Sequence, residues 1–180
     1  MAEEFAERML RTMNEAALAL MVSVGHRTGL FDVMAGMPAE AVREGRTNVR
    51  FEQRDAAHLG ETARFDFITT FDAVHDQARP DLMLAGIAAA LRPGGVYLCV
   101  DISASSTLAE NLGHPLATFL YTVSCMHCMT VSLADGGIGL GTMWGEQTAL
   151  RMLGEAGFTS IEAKRTDGDI VNAYIIASKD

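Results

Sequence analysis

"FDFITTFDAVHD", Phe65 to Asp76, is the stretch on which the reading of this chain turns. Phe65–Phe71 is a short apolar run with a β-branched centre (Ile68, Thr69, Thr70), the composition of a strand held inside a sheet. The spacing then changes. Pro80–Leu91 places Leu82, Leu84, Ile87, Ala88 and Leu91 at helical intervals, with Pro80 in the first turn where a missing N–H costs nothing. Arg92-Pro93-Gly94-Gly95 is a tight turn, and Val96–Ile102 is a second buried strand. Strand, helix, strand in this order predicts a parallel pair, whose ligands bind beyond the carboxyl ends of the strands. Asp72, His75 and Asp76 fall at that end of the first strand.

Working outward, Ser103–Trp144 is a long insertion containing a helix at about Pro115–Thr130. A helix over Gly145–Ala156 stops at Gly157. Strands at Phe158–Arg165 and Ile170–Ala177 close the chain as a hairpin around Thr166–Asp169. Upstream, Asn48–Arg54 alternates with Val49 and Phe51 on one face and reads as a strand ended by Asp55-Ala56-Ala57. Glu40–Gly45 reads as a helix tail with a glycine stop, and Leu30–Met34 as a short helix. Residues 3–24 repeat apolar side chains at helical spacing (Phe5, Met9, Met13, Ala17, Leu20, Val24). From Ala16 onward the remaining faces are apolar as well, so this helix is expected to be buried, most simply at a subunit interface. The fold class is α/β: a mostly parallel sheet with a C-terminal antiparallel hairpin and an N-terminal helical arm.

Composition narrows the function classes. Lys and Arg total 14 against 23 Asp and Glu, and with no long basic run nucleic acid is a poor partner. The first residues, Met1-Ala2-Glu3-Glu4, are acidic where a secretory signal is basic. The apolar stretch Ala16–Val24 is shorter than the about 20 residues a bilayer span needs. The expectation is a cytoplasmic protein without membrane or nucleic-acid partners. Cys99, Cys125 and Cys128 give no disulfide framework. Cys125-x-His127-Cys128 suggests a metal, but helix positions two apart point about 200° from each other, and a zinc site needs further ligands; no metal is expected. Met126, Met129, His127, Met143 and Trp144 suit the lining of an apolar ligand pocket, or core packing.

"GGIGLG", Gly136–Gly141, invites comparison with a phosphate-cradling loop. Such a loop must follow a buried strand. Met129–Asp135 reads as the end of a helix, so this stretch is expected to be a flexible loop before a helix rather than a cofactor cradle. His75 is the natural general base for a substrate hydroxyl, acid or amine. Asp76 would orient it or cap the following helix; a structural histidine is the alternative.

"LRPGGVYLCVDI", "FDFITTFDAVHD", "MLGEAGFTSIEAKR" and "NAYIIASK" resemble the C-terminal half of class I S-adenosylmethionine-dependent methyltransferases. "SSTLAENLGHPLATFLYTVSCMHCMTVSLADGGIGLGTMWG" and "FAERMLRTMNEAALALMVSVGHRTGLFDVMAG" resemble a bacterial subfamily with an N-terminal dimerisation and winged-helix region. The resemblance implies an incomplete Rossmann-like sheet, because the family's glycine-rich cofactor loop and winged helix have no counterpart around residue 39. It implies a dimerisation segment at 1–38 and a partial methyltransferase domain at 39–180. It further implies S-adenosylmethionine as cofactor, with Asp55 and Ala56 at the adenine and Thr70 and Phe71 lining the methyl-donor pocket. The implied activity is methyl transfer to a small-molecule acceptor by a homodimer. The alternative is a catalytically inactive, truncated form acting as a dimeric binding module.

Overall fold

The computed structural model describes residues 54–180 together with Gly45, Thr47, Asn48, Arg50 and Glu52. The helices expected at 3–24 and 30–34, the helix tail at 40–44 and the domain boundary near residue 38 lie outside the described residues. Arg54–Asp180 forms one compact unit.

Its frame is a four-stranded sheet. β1 is Phe65–Phe71, α1 Pro80–Ala90 and β2 Leu91–Ile102. The insertion contributes α2, Ala117–Val123, a π-turn at Ser124–Cys128 and α3, Met129–Ala134. α4 is Glu146–Glu155, and β3, Ser160–Lys164, and β4, Asn172–Ser178, end the chain. The spatial order is β1-β2-β4-β3. β1 and β2 are parallel, joined through α1, whereas β4 inserts antiparallel between β2 and β3. The Arg92–Gly95 turn survives as an irregularity inside β2: Phe65 pairs with Leu91 but Phe67 pairs with Val96.

Strand alternation decides which face is covered. Tyr97, Cys99, Ile175 and Ala177 point to one face, where α1 supplies Leu84 and Ile87 and α4 supplies Ala149 and Leu153. Phe158 stacks on Tyr97 there, with ring centroids 5.7 Å apart. A smaller cluster of Ile102, Ala104, Leu120 and Met143 lies beyond the carboxyl end of β2. Ala117–Ala134 is 18 residues long with a mean hydropathy of 1.3, enough by length and composition to cross a membrane. It buries a four-residue stripe, Leu120, Ser124, Cys128 and Ser132, against the rest of the unit.

The strand expected at Asn48–Arg54 does not form at its described positions: Asn48, Arg50, Glu52 and Arg54 are irregular and exposed. Arg50 pairs with Glu52, and Arg54 with Glu61. A strand needs a neighbour to bond its main chain, and among the described residues β1 has one only on the β2 side.

Candidate functional site

The carboxyl ends of β1 and β2 lie side by side, with Phe71 opposite Val100. The next residue on each strand is an aspartate. Asp72 turns into left-handed backbone at φ 45° while its N–H bonds Val100 O at 3.0 Å. A non-glycine residue in that region costs energy, which concentrates at functional sites. Asp101 stays inside the sheet end, 1% exposed.

His75 reaches back to Asp101. Its Nδ1 lies 2.7 Å from Asp101 Oδ1, and the imidazole is 3% exposed. The same oxygen accepts Trp144 Nε1–H at 3.1 Å and the Ile102 N–H at 2.8 Å. On the other side, His75 Nε2 stands 3.4 Å from Asp76 Oδ1. That contact is an ion pair without hydrogen-bond geometry, because Asp76 Oδ1 and Asp101 Oδ2 are both buried without a hydrogen-bond partner. Burial alone would strip the proton from His75. The hydrogen bonds to Asp101 and Cys128 and the charges of Asp101 and Asp76 outweigh it, and the pKa rises to about 10. The ring is therefore an imidazolium at neutral pH, not the near-neutral base that residue type alone suggests. Asp72 is pushed upward by burial and by the charges of Asp101, Asp76 and Asp169, with His75 acting against them.

Cys128 joins this cluster through the π-turn, which carries its thiol inward while Cys125 faces solvent. The donor atoms of His75, Asp76 and Cys128 lie within 4.8 Å of one another, a spacing a metal could bridge. Here Nδ1 is taken by Asp101 and the thiol by Thr142 Oγ1 at 2.8 Å. Cys125, His127 and Cys128 do not converge, since they face different sides of the turn.

The glycine stretch follows a helix, as its sequence indicated, and straps the segment carrying His75. Ile138 N–H bonds Ala78 O at 3.2 Å and Gly141 N–H bonds His75 O at 3.3 Å. The backbones approach so closely that a Cβ at Gly137 would lie 2.4 Å from Ala78 Cα.

The other sequence-derived residues are dispersed. Thr70 turns into the covered face, its Oγ1 2.6 Å from Tyr97 Oη, while Phe71 is 64% exposed. Asp55 caps the short 3-10 turn Ala56–His58, accepting from Ala57 N–H at 2.9 Å and meeting His58 Nδ1 at 2.8 Å, with its side chain largely exposed. Met143 and Trp144 are buried core residues, and His127 is half-buried.

Sequence reasoning missed Asp101, the anchor of the cluster. The signal was present: a lone acid closing the apolar run "VYLCVD" is a buried charge that needs a partner. It also missed a polar cavity of about 400 Å³ beyond the end of β2, lined by Ser103, Ser105, Glu110, His114, Gln147 and Arg165 among others. Its size is that of a small-molecule site.

A family model described as a methyltransferase domain matches residues 34–157. No curated protein matches the chain in sequence. Among solved structures, "PigF with SAH" superimposes with a TM-score of 0.60 at 17% identity over 81% of this chain and 40% of that one. An O-methyltransferase family protein from Burkholderia thailandensis gives 0.58 at 16% identity over 83% and 40%. The trans-methyltransferase CalH in complex with SAH gives 0.56 at 19% identity over 80% and 40%. Likeness at such identity is a likeness of fold, and the chain spans 40% of the length of each of these three structures.

Proposed function

The chain belongs to the methyltransferase-domain family, and from that premise we propose that it transfers a methyl group from S-adenosylmethionine to a small-molecule acceptor. The observation that carries the reading is the buried Asp101–His75–Asp76 cluster at the carboxyl rim of two neighbouring parallel strands. Two carboxylates around one imidazolium leave one negative charge, with Asp72 adding to the field, and that field favours a sulfonium over a neutral sulfur. The two orphaned carboxylate oxygens supply the unused acceptor capacity a cationic ligand would take up.

When bound, the cofactor supplies an electrophilic methyl group, and transfer needs in-line approach in a dry pocket. His75, held protonated by Asp101, keeps Asp76 in place beside the reacting centre. A proton released by the acceptor passes to Asp76, whose Oδ1 is not spent on another bond. Asp55 and Ala56 would meet the adenine edge, with Thr70 and Phe71 at the rim of the donor pocket. Met143 and Trp144 support the site from beneath, and His127 stands on the acceptor side. The apolar pattern of residues 3–24 supports a homodimer through the helix expected there, and three cysteines without a disulfide framework support a cytoplasmic setting.

Calorimetry with S-adenosylmethionine tests the reading. We expect affinity on the order of micromolar, tighter than for S-adenosylhomocysteine, and loss of that preference in Asp76→Asn. No binding at roughly millimolar cofactor would sink it.

A further inference from the structure

We propose that the outer edge of β1 is a self-association surface, on which a second copy of this chain adds its own β1 antiparallel. Among the described residues, β1 pairs only with β2. Its other edge presents the main-chain N–H and C=O groups of alternate residues with no partner among the described residues, which templates strand addition. Natural edges are blunted by lysine, proline or a bulge that turns them away. Phe65–Phe71 holds no lysine and no proline. The irregularity next to it lies on the side facing β2. Phe65, Phe67 and Phe71 share the face opposite α1 and α4, and are 38%, 57% and 64% exposed.

The charges select the occupant and the register. An antiparallel pair centred on Ile68 overlaps all seven residues and is isologous, as a twofold dimer requires. It sets Phe65 against Phe71 and Phe67 against Thr69. Asp66, the only charged residue of the strand, meets Thr70, and its own charge is already tied to Arg92 at 2.6 Å. Just past both ends, Arg64 of one copy, which already bonds its own Glu61 at 2.6 Å and lies over its own Phe65 ring, faces Asp72 of the other. Asp72 has no hydrogen-bond or ion-pair partner for its carboxylate among the described residues, and it sits amid other acids. A parallel pair in register would instead stack Asp66 on Asp66 and leave Asp72 beside Asp72.

The three phenylalanines bring roughly 250–400 Å² of aromatic surface per copy, below the about 800 Å² per partner of a standard stable interface. The main-chain ladder must supply the rest, so the dimer is of micromolar order.

Sedimentation velocity on the full chain across a concentration series tests this. The parent protein should show a concentration-dependent association step, separate from any dimer held by residues 3–24, that Phe67→Lys removes. Arg64→Glu should weaken that step roughly five- to tenfold, and adding Asp72→Lys to it should restore it. Phe67 and Arg64 are exposed, and thermal melts would verify that each variant folds. A set of association steps that Phe67→Lys leaves wholly unchanged overturns the proposal. So does a parent chain that stays monomeric, or a charge reversal that fails to restore. Self-association abolished only by altering residues 3–24 likewise overturns it. Cofactor calorimetry on the parent and Phe67→Lys samples is read separately, so failure of the edge and failure of the methyl-transfer reading are distinguishable.

Discussion

His75 Nδ1 and Asp101 Oδ1 lie 2.7 Å apart across 26 residues of chain, both buried at the carboxyl ends of adjacent parallel strands. Removing the anion would leave a buried imidazolium without the charge that pairs it. Asp101→Asn is expected to cost about 3–5 kcal/mol of stability, because breaking one partner of a buried pair strands the other. In the same variant the His75 titration, followed by NMR, should move down from about 10 toward the ordinary histidine range. A stable variant with an unmoved His75 titration would show that Asp101 does not hold the ring.

Because folding raises the pKa of His75 from 6.5 to about 10, the native state binds the extra proton between those values. The stabilisation is complete below pH 6.5 and is lost as pH rises through about 10. Urea unfolding should therefore show stability falling across that window, by a few kcal/mol at most, and His75→Gln should flatten the slope.

The strap over the site depends on glycine. A Cβ at Gly137 would meet Ala78 Cα at 2.4 Å and Ser132 O at 2.6 Å, both backbone atoms. Gly141 stands at φ 72° with Ser124 Oγ 2.2 Å from the same position. Gly137→Ala should destabilise the unit by about 1–3 kcal/mol and increase hydrogen exchange at Gly141 N–H, which bonds His75 O. Exchange and melting temperature equal to the parent would show that the strap tolerates a side chain.

The cysteines should separate under a thiol reagent. Cys125 is exposed, Cys128 is buried against Thr142, and burial pushes the Cys99 thiol up to about 11. One thiol should react in the native protein and all three on unfolding; rapid native labelling of Cys99 would contradict the packing of β2.

Much of the frame is legible in the chain. The apolar run at Phe65–Phe71, the helical spacing after Pro80 and the run ending at Ile102 specify a β-α-β unit, because each periodicity fits one backbone geometry. The C-terminal hairpin is equally local: Asp169 bonds Val171 N–H, Asn172 N–H and Tyr174 Oη within six residues. The strand expected at Asn48–Arg54 shows the limit. Its alternation is genuine, but pairing depends on a neighbour that no local pattern supplies.

The sequence by itself thus determined the β-α-β unit and the closing hairpin of this methyltransferase-domain protein and their order, since these follow from short-range periodicity and strand direction. Only the tertiary structure decided that Asp101 is the partner of His75, that the ring is charged, that β4 lies between β2 and β3, and that among the described residues one edge of β1 has no partner strand. Those depend on which distant segments meet, and a pairing energy between residues 26 apart leaves no periodic trace in the chain.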